Sequence, residues 1–418
     1  MSNFHGNIFA YFRGGVQSES DRERQLEDNT TKALINTLEH TSRSLTARFL
    51  AWLGVSSSGK VSFAQQRASL GDDLVRKKPR RVLLAIVGSK NPVNEMICSQ
   101  LPSKFEGGSR PDAWIFGEEF AVLVESKVGE ATLGKNQMAC HWDRLRPQTC
   151  KIITWADVHR FFSSLEVTGG DTKSCWIVDQ FIAYLEWTGM TDFTGFKEEM
   201  FEFFVATERH ADTQRWVRSA VDGLAESVLE GKDGLREHDS WYSGKTVGNL
   251  NKDSDHYWVA FGPEKEFRNW AHQTISLYEQ KLDVFVNVEL LPAIKRLRKK
   301  IQSGEFRKLV ASLPAPFTIC IEERKMTNQP RVFDYFAVAE VRGGIDKRRR
   351  YGLKDPHSPG FDYVEKLLQD IEYPYMSLRR TISRSQVLEL SEPNGDALVA
   401  EVLQTLKGFH PLVEFINS

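Results

Sequence analysis

The sequence predicts a two-domain protein of mixed α/β (α+β) class. Three observations carry this. The 418 residues exceed the roughly 100–200 of an ordinary domain. Short apolar runs of strand character alternate with segments of helical period in the first half. A composition break at Gly189-Met190-Thr191 then leads into long amphipathic helices. The domains are read as 1–190 and 191–418, and a hydrophobic content of 41% is ample for two packed interiors.

A long helix is expected from Glu27. Leu26, Ala33, Leu34, Leu38, Leu45, Phe49, Trp52 and Leu53 recur at three- and four-residue steps, as a buried stripe does. Gly54 and the serines 56–58 end it. Val82-Leu-Leu-Ala-Ile-Val87 is an apolar run with charged flanks, the pattern of a buried strand. Ala113–Phe116 and Phe120–Val124 are two more strands about a polar turn. Lys135–Leu145 is helical, Lys151–Thr154 is a short strand, and helices follow at Asp157–Leu165 and Ser174–Trp187. The resulting order is α-β-β-β-α-β-α-α. In the second half, helices are expected at Phe196–Ala206, Thr213–Leu229, Phe267–Gln280, Leu291–Gln302, Asp362–Ile371 and Gly395–Lys407. Strands are expected at Tyr257–Phe261, Asp283–Val288, Phe317–Glu322 and Tyr335–Val341.

Composition excludes several classes. Lys+Arg 55 against Asp+Glu 56 leaves a net charge of −1, which rules out a globally basic nucleic-acid coat. Five cysteines, with no CxxC pair, rule out a fully paired disulfide framework and argue against a zinc ribbon. Reduced thiols are expected. No run approaches the ~20 apolar residues of a membrane span, and the first fifteen residues lack the apolar region of a secretory signal. A soluble, cytoplasmic protein with no membrane partner is the expectation.

The chemistry concentrates in Arg110-Pro-Asp-Ala-Trp-Ile-Phe-Gly-Glu-Glu-Phe-Ala-Val-Leu-Val-Glu-Ser-Lys127. Glu125 and Lys127, two apart on a strand, project from one face. A two-residue loop at Glu118-Glu119 pairs Gly117 with Phe120 and, counted outward, sets Asp112 opposite Glu125. Directly opposed Cβ atoms lie about 4.5–5.5 Å apart. Two carboxylates that close need a proton or a cation between them. Hard oxygen ligands favour Mg²⁺, with Mn²⁺ as a substitute. The competing reading is an ion-pair set at a strand end.

These residues resemble the PD-(D/E)XK nuclease superfamily, which has the restriction-endonuclease-like fold. Pro111-Asp112 matches its PD element, Glu125-Ser126-Lys127 its ExK element, and the element order its αβββαβ core. The resemblance covers residues 20–190. It implies a metal-dependent endonuclease, with Asp112 and Glu125 as metal ligands and Lys127 orienting the attacking water. An acidic residue on the first core helix is also implied. Glu27 is preferred over Glu39 because it stands within about 20° of the stripe through Leu34 and Leu38. It is read as a further catalytic and metal-binding acid, although a first-turn acid is also favoured by the helix dipole. Gln137 fits the family's glutamine after the lysine strand, and His141, one turn on, is placed to reach phosphate or metal-bound water. Both also suit an ordinary polar helix face. The resemblance further implies a nucleic-acid substrate, read as DNA, a homodimer for double-strand cleavage, and a role in restriction or anti-phage defence. The alternative is a nucleic-acid-binding or regulatory protein with a non-cleaving nuclease-like scaffold.

Two other features of the sequence suggest phosphate or nucleic-acid binding. Gly54-Val-Ser-Ser-Ser-Gly-Lys-Val61 nearly matches a phosphate loop, but Val61 stands where the motif needs Ser or Thr and the segment follows a helix. It is read as a connector. Basic clusters lie at Arg76–Arg81, Lys295–Lys300, Lys347–Arg350 and Arg379-Arg380 with Arg384. Arg80, Arg81, Lys347, Arg348, Arg349 and Arg350 are the expected nucleic-acid contacts, by phosphate neutralisation.

Overall fold

The computed structural model describes residues 7–10, 19–67, 70–88, 109–129, 131–165, 171–231, 233–239, 242, 244–248, 251, 253–263, 266–314, 316–326, 333–342, 345–346 and 359–418. The chain is mixed α/β and divides into two compact units, Met1–Asp192 and Phe193–Ser418. The boundary lies two residues beyond the one read from composition.

In the first unit the helices are α1 (Glu19–His40), α2 (Arg43–Trp52), α3 (Asp72–Arg76), α4 (Lys135–Leu145), α5 (Trp155–Ser163) and α6 (Thr172–Trp187). The strands are β1 (Ser62–Gln65), β2 (Arg80–Val87), β3 (Ala113–Phe116), β4 (Phe120–Ser126) and β5 (Thr149–Thr154). The single long helix expected from Glu27 is two helices. Ser42 breaks it by capping α2, its side chain accepting from the Leu45 N–H at 3.3 Å. The apolar stripe runs through both pieces, so periodicity alone did not show the break.

The sheet order is β1-β3-β4-β2-β5. β3 and β4 form an antiparallel hairpin, while β2 runs parallel to both β4 and β5. One face of the sheet, with Val82, Leu84, Ile86, Val122 and Val124, packs on residues of α1, α2, α5 and α6. The other face, with Leu83, Ala85, Trp114 and Leu123, packs on Met138 and Leu145 of α4. Burial on both faces is why these strands read as unbroken apolar runs. The four-residue edge strand β1 was too short to stand out.

The second unit carries α7 (Glu198–Glu202), a 3-10 turn (Phe203–Val205), α8 (Ala211–Glu230), α9 (Leu235–His238), β6 (Gly244–Val247), β7 (His256–Gly262), β8 (His272–Tyr278) and β9 (Lys281–Val288). It continues with α10 (Leu291–Gln302), α11 (Glu305–Ser312), β10 (Thr318–Met326), β11 (Phe333–Arg342), β12 (Ile345–Asp346), α12 (Pro359–Asp370), β13 (Pro374–Ser383), α13 (Arg384–Ser391) and α14 (Asp396–Asn417). Its eight strands form one sheet in the order β12-β11-β10-β13-β9-β8-β7-β6, every neighbouring pair antiparallel.

Two helix expectations fail in this unit. The helix read at Phe267–Gln280 is a short 3-10 turn followed by β8. Ile275 and Leu277 enter the core while Thr274 and Ser276 face the other way, a period of two. The helix read at Phe196–Ala206 shortens to α7 and a 3-10 turn. Strand β13 was missed because Arg379 and Arg380 broke its apolar pattern, although Met376, Leu378 and Ile382 alternate into the core. The reading of five reduced thiols is also corrected. Cys140, Cys175 and Cys320 carry thiols, but Cys150 is disulfide-bonded. Folding can bring together thiols that have no CxxC spacing. Among the described residues no helix is long and apolar enough to cross a membrane.

Gly88, which follows β2, shows how tightly the strand ends pack. A Cβ there would lie 2.1 Å from the Gly129 carbonyl oxygen, whereas one at Gly59 would meet nothing within 4 Å. Gly88→Ala should therefore destabilise the protein by about 1–3 kcal/mol. Gly59→Ala should leave the midpoint of thermal unfolding nearly unchanged. Equal midpoints for the two variants would contradict this packing.

Candidate metal centre

The hairpin registers as its loop demands. Ala113 pairs with Val124 and Phe116 with Ala121, and the Gly117 N–H donates to the Phe120 carbonyl at 3.0 Å. One further step outward sets Asp112 at the level of Glu125. Asp112 is anchored there, its Oδ2 accepting from the Ser126 N–H at 2.7 Å and from the Ser126 hydroxyl at 3.1 Å. Beyond β4, the Lys127 N–H donates to the Ile86 carbonyl at 2.7 Å. Glu125, Ser126 and Lys127 thus stand at the carboxyl end of two parallel strands.

Three acids converge at this edge. Glu27, Asp112 and Glu125 each offer an oxygen, and the three oxygens lie within 4.8 Å of one another. Lys127 Nζ donates to Glu125 Oε1 at 2.7 Å, to Glu27 Oε1 at 2.9 Å and to the Ser126 carbonyl at 2.9 Å. Glu125 is wholly buried, so its charge needs donors on every side. Gln137 of α4 donates to its Oε1. His141, one turn further along α4, places Nε2 2.9 Å from its Oε2. On the opposite side of β4, the Ser126 hydroxyl meets the Thr31 hydroxyl of α1 at 2.5 Å. The Trp155 indole N–H donates to the Lys127 carbonyl at 3.1 Å.

The cluster holds three carboxyl groups against one ammonium. Burial, and then the neighbouring Glu125, push the Asp112 carboxyl up to about 7. Burial likewise raises Glu27, against the opposing pull of Lys127. Burial by itself would lower Lys127, but Glu125 and Glu27 outweigh it and hold the ammonium protonated. Buried carboxyl groups gathered this closely resist ionising together, and a divalent cation among them would relieve that cost. The donors are all hard oxygens, Asp112, Glu125 and Glu27 with the adjacent Ser126 carbonyl, and this set fits Mg²⁺ or Mn²⁺.

The structure thus gathers Asp112, Glu125, Lys127, Glu27, Gln137 and His141 in one place, while Glu39 is exposed on α1. His141 differs from its expected role. It is fully buried and holds Glu125, so it does not face phosphate. Arg80 and Arg81 open β2, six residues before Ile86 and so about 20 Å along the strand from the acids. The Arg81 guanidinium is engaged with the carbonyls of Arg146, Arg76 and Lys78 at 2.9, 3.0 and 2.5 Å. Lys347, Arg348, Arg349 and Arg350 lie outside the described residues. Of the other two clusters, Lys295–Lys300 has Arg296 over the Trp270 ring and Lys300 donating to the Ser418 hydroxyl, and in the last Arg380 pairs with Glu401 and Arg384 with Glu198. Thr31 was overlooked, although it follows Glu27 by one helical turn and so shares its face. No protein-family model matches the chain, and no curated protein sequence is significantly similar to it.

The Asp112 value has two measurable consequences. A cation must displace its proton below about pH 7, so Mg²⁺ affinity in a calorimetric titration should fall about 20-fold from pH 7.5 to pH 5.5. Because the folded-state value lies above the ordinary 3.8, the stability this carboxyl contributes is full below about pH 4 and lost as the pH rises through 7. Asp112→Asn should therefore raise the thermal midpoint of metal-free protein at pH 8. A lower midpoint would contradict the cause assigned to the shift.

Proposed function

We propose that residues 1–190 form a metal-dependent endonuclease of the PD-(D/E)XK type, hydrolysing phosphodiester bonds of DNA. The single observation that carries this reading is the convergence of Glu27, Asp112 and Glu125 within 4.8 Å beside Lys127. The succession of α1, β2, β3, β4, α4 and β5 supports it, being compatible with an αβββαβ core. Asp112 and Glu125, with the Ser126 carbonyl, would hold Mg²⁺ or Mn²⁺, and Glu27 would complete a second site or support the first. The chemistry supplied by such an ion is acidification of a bound water and neutralisation of charge at the phosphorus.

The protein's own groups divide the rest of the work. Lys127, held protonated, orients the attacking water and stabilises the negative charge that develops as the new O–P bond forms and the ester bond breaks. It is a donor in this scheme and takes no proton. Gln137 and His141 fix Glu125 so that its oxygens keep their direction. The second unit would serve substrate recognition, sensing or assembly. Pairing of two copies would give double-strand cleavage, and restriction or anti-phage defence is the proposed setting.

One observation favours the second reading, a nucleic-acid-binding protein with a non-cleaving scaffold. Lys127 already engages all three of its donors within the cluster, as a purely structural ion-pair network would. A cleavage assay on DNA with Mg²⁺, Mn²⁺ or EDTA separates the two. The nuclease reading expects metal-dependent cutting that falls about 10²–10³-fold in Lys127→Ala and is lost in Asp112→Ala, with DNA binding retained. Binding without any cutting in the wild-type protein would favour the scaffold, and undiminished cutting in both variants would overturn the site.

A further inference from the structure

A second group of metal-ligating side chains lies in the second unit. His410 and Glu414 are one turn apart on α14, and Asp239 follows α9. One atom from each lies within 4.8 Å of the others. His410 Nε2 is 2.8 Å from Asp239 Oδ2 and 3.6 Å from Glu414 Oε1. The imidazole is 5% exposed, while Glu414, at 63%, stands open to solvent.

Hydrogen-bond partners settle which imidazole nitrogen carries the proton. The Leu406 carbonyl can only accept, so the Gln273 amide atom 2.6 Å from it is the NH₂ group. Gln273 Oε1 then faces the Tyr242 hydroxyl at 2.5 Å and can only accept. Tyr242 has one proton, and it goes there. The Tyr242 oxygen, 2.7 Å from His410 Nδ1, must therefore receive a hydrogen bond, and Nδ1 must hold the hydrogen. Nε2 is therefore the imidazole atom presented to the two carboxylates, 2.8 Å from Asp239 Oδ2 and 3.6 Å from Glu414 Oε1, the arrangement of a histidine and two acids around one ion.

We propose that Asp239, His410 and Glu414 form a binding site for a divalent transition-metal ion, Zn²⁺ in the first instance. Two ligands at about 2.1 Å on a tetrahedral ion are about 3.4 Å apart, and the distances from Nε2 to the two carboxylates bracket that value. A metal-bound histidine characteristically donates its other N–H to a fixed acceptor, the role Tyr242 and Gln273 fill. An imidazole with two carboxylates selects Zn²⁺ or Mn²⁺ over Mg²⁺ or Ca²⁺. Three protein ligands leave one position for water or a ligand. The ion would bind the segment after α9 to the last helix, 171 residues away.

The test uses the full chain carrying Asp112→Asn, which weakens the acidic cluster of the first unit. Titration with ZnCl₂ should show one tight site that Mg²⁺ does not compete for. Adding Glu414→Gln, an exposed change that leaves the fold intact by circular dichroism, should weaken Zn²⁺ at least about tenfold. Tyr242→Phe, which removes the hydroxyl that accepts from Nδ1–H, should weaken it by a similar factor. A zinc-induced rise in thermal midpoint should disappear with Glu414→Gln. Absence of zinc binding, or equal affinity with and without Glu414, would overturn the site and leave a structural contact of His410 with Asp239. Because the readout is zinc binding in the second unit, its failure leaves the nuclease reading untouched, and the converse holds.

Discussion

A fully buried carboxylate at the end of a strand is the constraint around which the first unit is organised. Moving an ion the size of Glu125 out of water costs several kcal/mol even after relaxation, and the cost is offset only by donors of fixed direction. Lys127, Gln137 and His141 supply them from two different elements. α4 must therefore lie where its polar turn meets the strand end while Met138 and Leu145 fill the sheet face behind it. The same helix packs the core and grips the acid.

The sheet architecture explains why the acids gather at one edge. β2, β4 and β5 run parallel, so their carboxyl ends coincide, and the β3–β4 hairpin delivers Asp112 to that end from the opposite direction. Arg80 and Arg81 sit at the amino end of the same strands and are parted from the acids by the strand's whole length. The helix carrying Glu27 arrives from the other face of the sheet. Its hold there comes from Leu34 and Leu38 in the core and from the Thr30 hydroxyl, 3.4 Å from that of Tyr184.

Much of the first unit was legible because its signals are local. The two-residue loop at Glu118-Glu119 fixes the register, and the register fixes the facing of Asp112 and Glu125. The stripe through Leu34 and Leu38 placed Glu27 on the inner side of its helix. The role of His141 was not legible, because burial depends on the whole fold and a histidine on a helix looks the same in sequence whether it faces solvent or a carboxylate. In the second unit the sheet has one apolar face, and strands such as β13 carry two consecutive arginines, Arg379 and Arg380, that interrupt the alternation. Their pattern resembles a charged surface until the neighbouring strands are known. The thiol of Cys150 was misread for a similar reason, since a disulfide outside a CxxC spacing leaves no local pattern to read.

The break at Ser42 makes α1 and α2 separate helices, and the Thr46 hydroxyl of α2 ties them by donating to the Leu38 carbonyl at 2.7 Å. A shift of α1 by a single turn would move Glu27 by about 5.4 Å, more than the 4.8 Å that encloses the three oxygens, so the 2.5 Å hydroxyl contact between Thr31 and Ser126 fixes the axial level at which Glu27 meets the other two acids.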